Sequence, residues 1–155
     1  MPGLVEGKVM LVTGSGSGIG RAKAQTRTGR RDLMIADYVQ EGAERTVKMM
    51  KDSGGTASFI PADVSLAAQV EAMVAKTVQT YGRIDGAFNN AGIEGRMATT
   101  VETSEENFDR TIAINLKGVW LCMKYEIPEM LKRGKGAIVN NGSVTGLVGN
   151  ARPYR

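Results

Sequence analysis

The sequence predicts an α/β protein built on a doubly wound parallel sheet, and three observations carry that expectation. Short apolar runs alternate with helix-length segments five times, at intervals of about twenty to fifty residues. The first run, Val9-Met10-Leu11-Val12, empties at once into a turn holding Gly14, Gly16, Gly18 and Gly20. The second, Leu33-Met34-Ile35-Ala36, closes on an acid, Asp37. Glycine lets the backbone take positive φ and lets a ligand come close, and the free N–H groups of a helix starting near Gly18 favour an anion. Strand, glycine turn and helix together therefore read as a phosphate cradle, with the spacing Thr13-Gly14-x-x-x-Gly18-x-Gly20 rather than G-x-G-x-x-G.

The first helix is expected from about Gly18 to Thr28, and it is poorly patterned. Between Ile19 and Leu33 the only apolar side chains are Ala22 and Ala24, while Lys23, Thr26 and Arg27 stand where large apolar residues would pack on a sheet. After Asp37, the positions Val39, Ala43, Val47 and Met50 mark one stripe of a second helix, which Ser53-Gly54-Gly55 stops. Ala57 to Ile60 is a third strand closed by Pro61, and Asp63-Val64-Ser65 leads out of it with Ser65 as the expected N-cap. Val70, Met73, Val74, Thr77, Val78 and Tyr81 form the apolar face of a third helix ended by Gly82. Ile84 to Phe88 is a fourth strand running into Asn89-Asn90-Ala91-Gly92. A long helix is expected from about Ser104 to Arg133, with Phe108, Ile112, Asn115, Val119 and Met123 on one face and Pro128 either kinking it or ending its main part. Gly136 to Asn141 is the fifth strand, followed by Gly142-Ser143, and Val144 to Arg155 reads as loop.

Composition narrows the chemistry. With 155 residues, 42% of them hydrophobic, the chain suits one soluble domain spanning 1–155. Its apolar runs are too short for a bilayer and no leader pattern opens it, so no membrane partner and a cytoplasmic location are the expectations. There is no histidine and a single cysteine, Cys122, which excludes Ser-His-Asp catalysis, His-based metal sites and an internal disulfide. Cys122 lies in an apolar helical stretch and reads as a buried thiol. The net charge of +4 comes from Arg21, Lys23, Arg27, Arg30 and Arg31, five cations with no acid between them. Without them the rest is near neutral, so nucleic acid is not an expected partner.

Taken together, Thr13-Gly14-x-x-x-Gly18-x-Gly20, Asp37, Asp63-Val64, Asn89-Asn90-Ala91-Gly92, Asn115 and Ser143 resemble the short-chain dehydrogenase/reductase family in order and spacing. The resemblance covers Val5 to Gly149 and implies a Rossmann-like fold, here cut after about five strands. In that family Gly14, Gly18 and Gly20 would hold the pyrophosphate of a dinucleotide, with Ser15, Ser17 and Ile19 lining the same turn. Asp37 would accept hydrogen bonds from the adenosine ribose and repel a 2′-phosphate, which favours NAD over NADP. Asp63 and Val64 would flank the adenine, Asn89 would support the central strands, and Asn90, Ala91 and Gly92 would belong to the cofactor cleft. Asn115 would serve a proton relay and Ser143 would hydrogen-bond the substrate oxygen, both as catalytic residues.

The resemblance further implies hydride transfer between nicotinamide and a small alcohol or ketone, with no structural metal, and a homo-oligomer for the full-length protein. The family's Tyr-x-x-x-Lys pair, which exchanges the proton and lowers the tyrosine pKa, is missing. Tyr154 comes eleven residues after Ser143, slightly early, and reads as a loop residue. The expectation is therefore a truncated chain, incomplete at its C-terminus, with a non-catalytic nucleotide-binding remnant as the alternative reading. The missing elements would leave the fifth strand as an edge without its covering helix.

Overall fold

The computed structural model describes residues 5–25 and 31–144. Five parallel strands lie in the order β3-β2-β1-β4-β5: β1 Val9–Thr13, β2 Asp32–Asp37, β3 Thr56–Pro61, β4 Gly86–Asn89 and β5 Ala137–Asn140. The order reverses at β1. That is the switch point beside which open α/β sheets place their ligands, beyond the strand C-termini. Successive residues of β1 point to opposite faces. Leu11 enters a core with Met34, Val70, Met73, Ile84 and Leu121, whereas Val12 enters a second core with Leu33, Ile35, Ala43 and Met50. Helices α1 (Gly18–Gln25) and α2 (Gln40–Asp52) cover the second, and α3 (Ala67–Tyr81) with α5 (Gly118–Leu131) cover the first.

The poorly patterned first helix is held by polar contacts. Its buried residues are Gly20 and Ala24. Arg21 Nε donates to Thr46 Oγ1 at 3.1 Å, and its Nη2 donates to the carbonyls of Gly16 and Gly42, so one guanidinium ties α1, the glycine turn and α2 together. Arg31, 8% exposed, donates to the carbonyls of Ala24 at 2.6 Å and Lys23 at 3.4 Å, placing a cation at the C-terminal side of the described helix. Two of the five clustered cations are thus internal braces. Among the described residues the helix runs to Gln25, and the expected extension over 26–28 lies outside them, as do Arg27, Arg30 and the expected loop over 145–155 with Tyr154.

Three local expectations need correction. Val39 does not join the stripe of α2: it is the N-cap, 58% exposed, and the buried residues are Ala43, Thr46 and Met50. Ser65 is not the N-cap of α3, a place taken by Leu66. Asp63 captures Ser65 instead, accepting from its backbone N–H at 2.9 Å and its hydroxyl at 2.6 Å, a local turn that competes with capping. The strand before Asn89 begins at Gly86 rather than Ile84, and just before it the Asp85 carboxylate accepts from Val9 N at 2.9 Å and pairs with Arg83 at 2.7 Å.

The long helix is also interrupted. Capped by Ser104, α4 (Glu105–Ile112) runs into a π turn over Ala113–Lys117 before α5 begins. The expected face does not survive: α4 has no buried residue, and the buried face of α5 runs one residue earlier than the stripe through Val119 and Met123. Phe108 and Ile112 are exposed, while Gly118, Leu121, Cys122, Glu126 and Met130 form the buried face of α5. Pro128 lies inside α5 and the helix continues past it to Leu131. Strand β5 is an edge among the described residues, with Val139 59% exposed.

Candidate active site

A cleft of about 1160 Å³ opens above the C-terminal ends of the strands. Its floor is the crossing of β1 and β4. At the end of β1, Thr13 Oγ1 accepts hydrogen bonds from the backbone N–H groups of Asn90 and Ala91, at 3.0 and 3.1 Å, and is itself buried. Asn90 Nδ2 donates to the carbonyls of Gly14 at 3.0 Å and Thr13 at 3.3 Å, and Asn141 Nδ2 donates to Asn90 Oδ1 at 2.9 Å. One threonine and two asparagines therefore fasten the ends of β1, β4 and β5 to the glycine turn.

The turn needs glycine where other backbone crosses it. Gly14 has φ +61°, and a Cβ there would stand 2.7 Å from Ala91 Cα. A Cβ on Gly20 would stand 2.1 Å from the Gly14 carbonyl oxygen and 2.7 Å from Asn90 Nδ2. Beside it, Asp37 Oδ2 accepts from Gly16 N at 2.7 Å and Oδ1 from Val39 N at 2.8 Å. The carboxylate at the end of β2 thus shapes the turn as well as facing the cleft.

Gly14, Ser17, Gly18, Ile19 and Asp37 line the cleft, as do Asp63, Val64, Asn90, Ala91, Gly92, Asn115 and Ser143. Ser15 and Gly20 differ. The Ser15 hydroxyl turns inward to the carbonyls of Val12 at 3.0 Å and Ala36 at 3.2 Å, fully buried, and Gly20 is the packing point beneath the turn. Asn115 lies in the π turn and clamps the backbone of Ile93 in both directions, accepting from its N–H at 2.9 Å and donating to its carbonyl at 2.7 Å. π turns recur at functional sites. Ser143 sits exposed beyond β5 on the same cleft.

Cleft residues that the sequence reading missed include Tyr38, Ile93, Glu94 and Arg110. Tyr38 directly follows the predicted end of the second strand and Ile93 directly follows Asn89-Asn90-Ala91-Gly92, which was the available signal. Arg110 comes from a helix turn with no motif to mark it. Cys122 is buried, and burial together with the nearby Glu126 pushes its thiol up to about 12, so it offers no thiolate. Among the described residues no helix is long and apolar enough to cross a membrane.

The geometry around Thr13 gives a direct test. Thr13→Val keeps the shape and removes the acceptor shared by two backbone N–H groups. We expect a stability loss of about 2 to 4 kcal/mol in denaturant titration, as each orphaned donor costs about 1 to 3 kcal/mol. A loss below about 0.5 kcal/mol would show that the two N–H groups find other partners.

Comparison with known proteins places these features in company. A sequence model described as short chain dehydrogenase matches residues 8–153. An uncharacterized oxidoreductase of Thermotoga maritima is 46% identical over 149 residues, 95% of this chain and 58% of its own length. A levodione reductase of Leifsonia aquatica is 40% identical over 152 residues, 95% of this chain and 57% of its own. The solved structure of an NAD+-bound xylitol dehydrogenase superposes with a TM-score of 0.91 at 32% identity, covering 95% of this chain and 57% of that one. The chain thus spans a little under three-fifths of the length of these relatives.

Proposed function

This chain belongs to the short-chain dehydrogenase family, and from that premise we propose that its cleft binds NAD as the nucleotide-binding part of an oxidoreductase acting on a small alcohol or ketone. The observation that carries the reading is the joining, in one cleft, of a glycine turn that admits no Cβ at Gly14 with the Asp37 carboxylate on the neighbouring strand. Backbone N–H groups at the start of α1 suit a pyrophosphate, and Asp37 suits ribose hydroxyls. Asp63 and Val64 line the cleft and would flank the adenine, and Asn90 to Gly92 wall the cleft on the β4 side. When bound, the nicotinamide would supply the hydride acceptor or donor.

NAD is favoured over NADP by where the nearby charges go. A 2′-phosphate beside Asp37 needs a compensating cation, and the Arg21 guanidinium is already committed to Thr46, Gly16 and Gly42. The levodione reductase relative supports a small ketone or secondary alcohol as the substrate class. In that chemistry the Ser143 hydroxyl would donate to the substrate oxygen, and Asn115 would hold the Ile93 backbone at the rim of the cleft. We propose a cytoplasmic, homo-oligomeric protein in its full-length form, with neither nucleic acid nor membrane as partner.

The 155 residues carry Ser143 without a Tyr-x-x-x-Lys pair, so the chain by itself is expected to bind NAD and not to turn over an alcohol. Calorimetric titration with NAD and NADP, followed by a hydride-transfer assay with a cyclic secondary alcohol, tests both halves. Absence of heat with either nucleotide would remove the cofactor reading. Turnover abolished by Ser143→Ala would remove the second.

A further inference from the structure

Glu126 is fully buried on the inner face of α5, and its carboxylate Oε2 accepts from Asn89 Nδ2 at 3.1 Å. The same Nδ2 donates to Asn140 Oδ1 at 3.0 Å, bridging the last residues of β4 and β5, which are register partners. Two atoms of this cluster have no hydrogen-bond partner, Glu126 Oε1 and Asn89 Oδ1, and both are acceptors when the glutamate is ionised. A buried acceptor left unmatched is costly, and a buried charge more so. One proton answers both, because a carboxyl and a primary amide pair head to head, each donating once and accepting once.

We propose that Glu126 is a positioning residue that carries a proton in the folded protein and donates it to Asn89 Oδ1, locking the amide that joins β4 to β5. The lock sits one residue before Asn90 and three before Ser143, and the Asn89 carbonyl accepts from Asn141 N at 2.8 Å. It therefore sets how the two cleft-forming strand ends lie together.

The surroundings agree. On α5 itself the nearest titratable group is the Cys122 thiol, one turn earlier and also buried. Lys124 lies over the rings of Trp120 and Tyr125, and Glu129 pairs with Lys132. From β4 and β5 come only the amides of Asn89 and Asn140. From α3, packed alongside, the facing residues are Val70, Met73, Val74 and Thr77, with Glu71 and Lys76 on its exposed side and the Tyr81 hydroxyl donating to the Leu33 carbonyl. Among the described residues no cation is paired with the glutamate, and burial pushes its carboxyl up to about 7.

A carboxyl raised in the folded state binds protons that the unfolded chain has released, so its contribution is full at low pH and is lost as pH rises through the folded value. Glu126→Gln mimics the neutral acid, with an N–H group where the proton would be. Relative to this variant, the denaturation midpoint of the wild-type 155-residue chain should fall from about pH 5 to about pH 8, leaving Glu126→Gln the more stable at the upper end. Parallel profiles, or a variant uniformly weaker than wild type, would overturn the proposal. Infrared difference spectroscopy on wild type with isotope-labelled glutamate needs no variant. A protonated carboxyl band that disappears as pH rises through about 7 supports the lock, and its absence at about pH 6 overturns it.

NAD affinity, which rests on the reading proposed above, should weaken over the same pH range in wild type and stay level in Glu126→Gln. If the infrared and denaturation results hold while NAD binds at no pH, the lock stands and the cofactor reading fails.

Discussion

Gly20→Ala should lower NAD affinity about a hundredfold and destabilise the chain, whereas Gly18→Ala, two residues earlier, should do neither to a comparable degree. A methyl group at position 20 meets the Gly14 carbonyl oxygen at 2.1 Å, which is backbone held in place by Asn90 Nδ2, itself 2.7 Å from the new Cβ. Nothing flexible stands in the way, so the helix must move off the turn. Overpacking of this kind costs about 1 to 3 kcal/mol, and contact with fixed backbone places it at the upper end. The displaced element is the one that presents N–H groups to the pyrophosphate, so the loss in affinity should reach about a hundredfold. At Gly18 the Cβ would point into open space, leaving only the strain of φ +49°, about 1 kcal/mol. Denaturant midpoints and calorimetric titration of the two variants decide the matter. Equal losses would mean that glycine is needed there for conformation alone.

Asp37→Ala should lower NAD affinity about ten- to a hundredfold and narrow the preference for NAD over NADP. The carboxylate has two duties in this structure. It holds Gly16 N and Val39 N, fixing the glycine turn against the start of α2, and it presents its charge to the cleft. Hydrogen bonds to charged groups contribute about 1.5 to 3 kcal/mol, so losing the turn brace and the ribose acceptor together accounts for that range. NADP should gain relative to NAD because a repulsive charge is gone, without binding tightly, as Arg21 stays occupied with Gly16, Gly42 and Thr46. Paired titrations with the two nucleotides measure both effects. An unchanged NADP-to-NAD ratio would show that Asp37 acts only as a brace.

Much of the fold was legible because its signals are local. Val9 to Val12 followed by glycines, Leu33 to Asp37, and the stripe from Val70 to Tyr81 each announce an element through neighbours a few residues apart. The site was legible for the same reason: a parallel sheet gathers its strand ends at one edge, so residues that follow apolar runs arrive together even when far apart in sequence. Where the reading failed, two local preferences competed. Asp63 drew Ser65 into a turn before it could cap a helix, and the π turn breaks the α-helical period between α4 and α5, so one stripe could not describe both.

By itself the sequence determined the alternation of strands and helices, the glycine turn, the acid that follows the second strand and the family to which they belong, since each is written in contiguous residues. Tertiary structure alone decided three other matters. The weak helix α1 is kept by Arg21 and Arg31, whose partners lie on other elements. The Ser15 hydroxyl serves the strands and not the cleft. Glu126 meets Asn89 across the face of the sheet, thirty-seven residues away in the chain. A charged or polar side chain has no fixed role until packing supplies its partner or withholds one. Burial then sets which hydrogen bonds must form, and no pattern along the chain records that outcome.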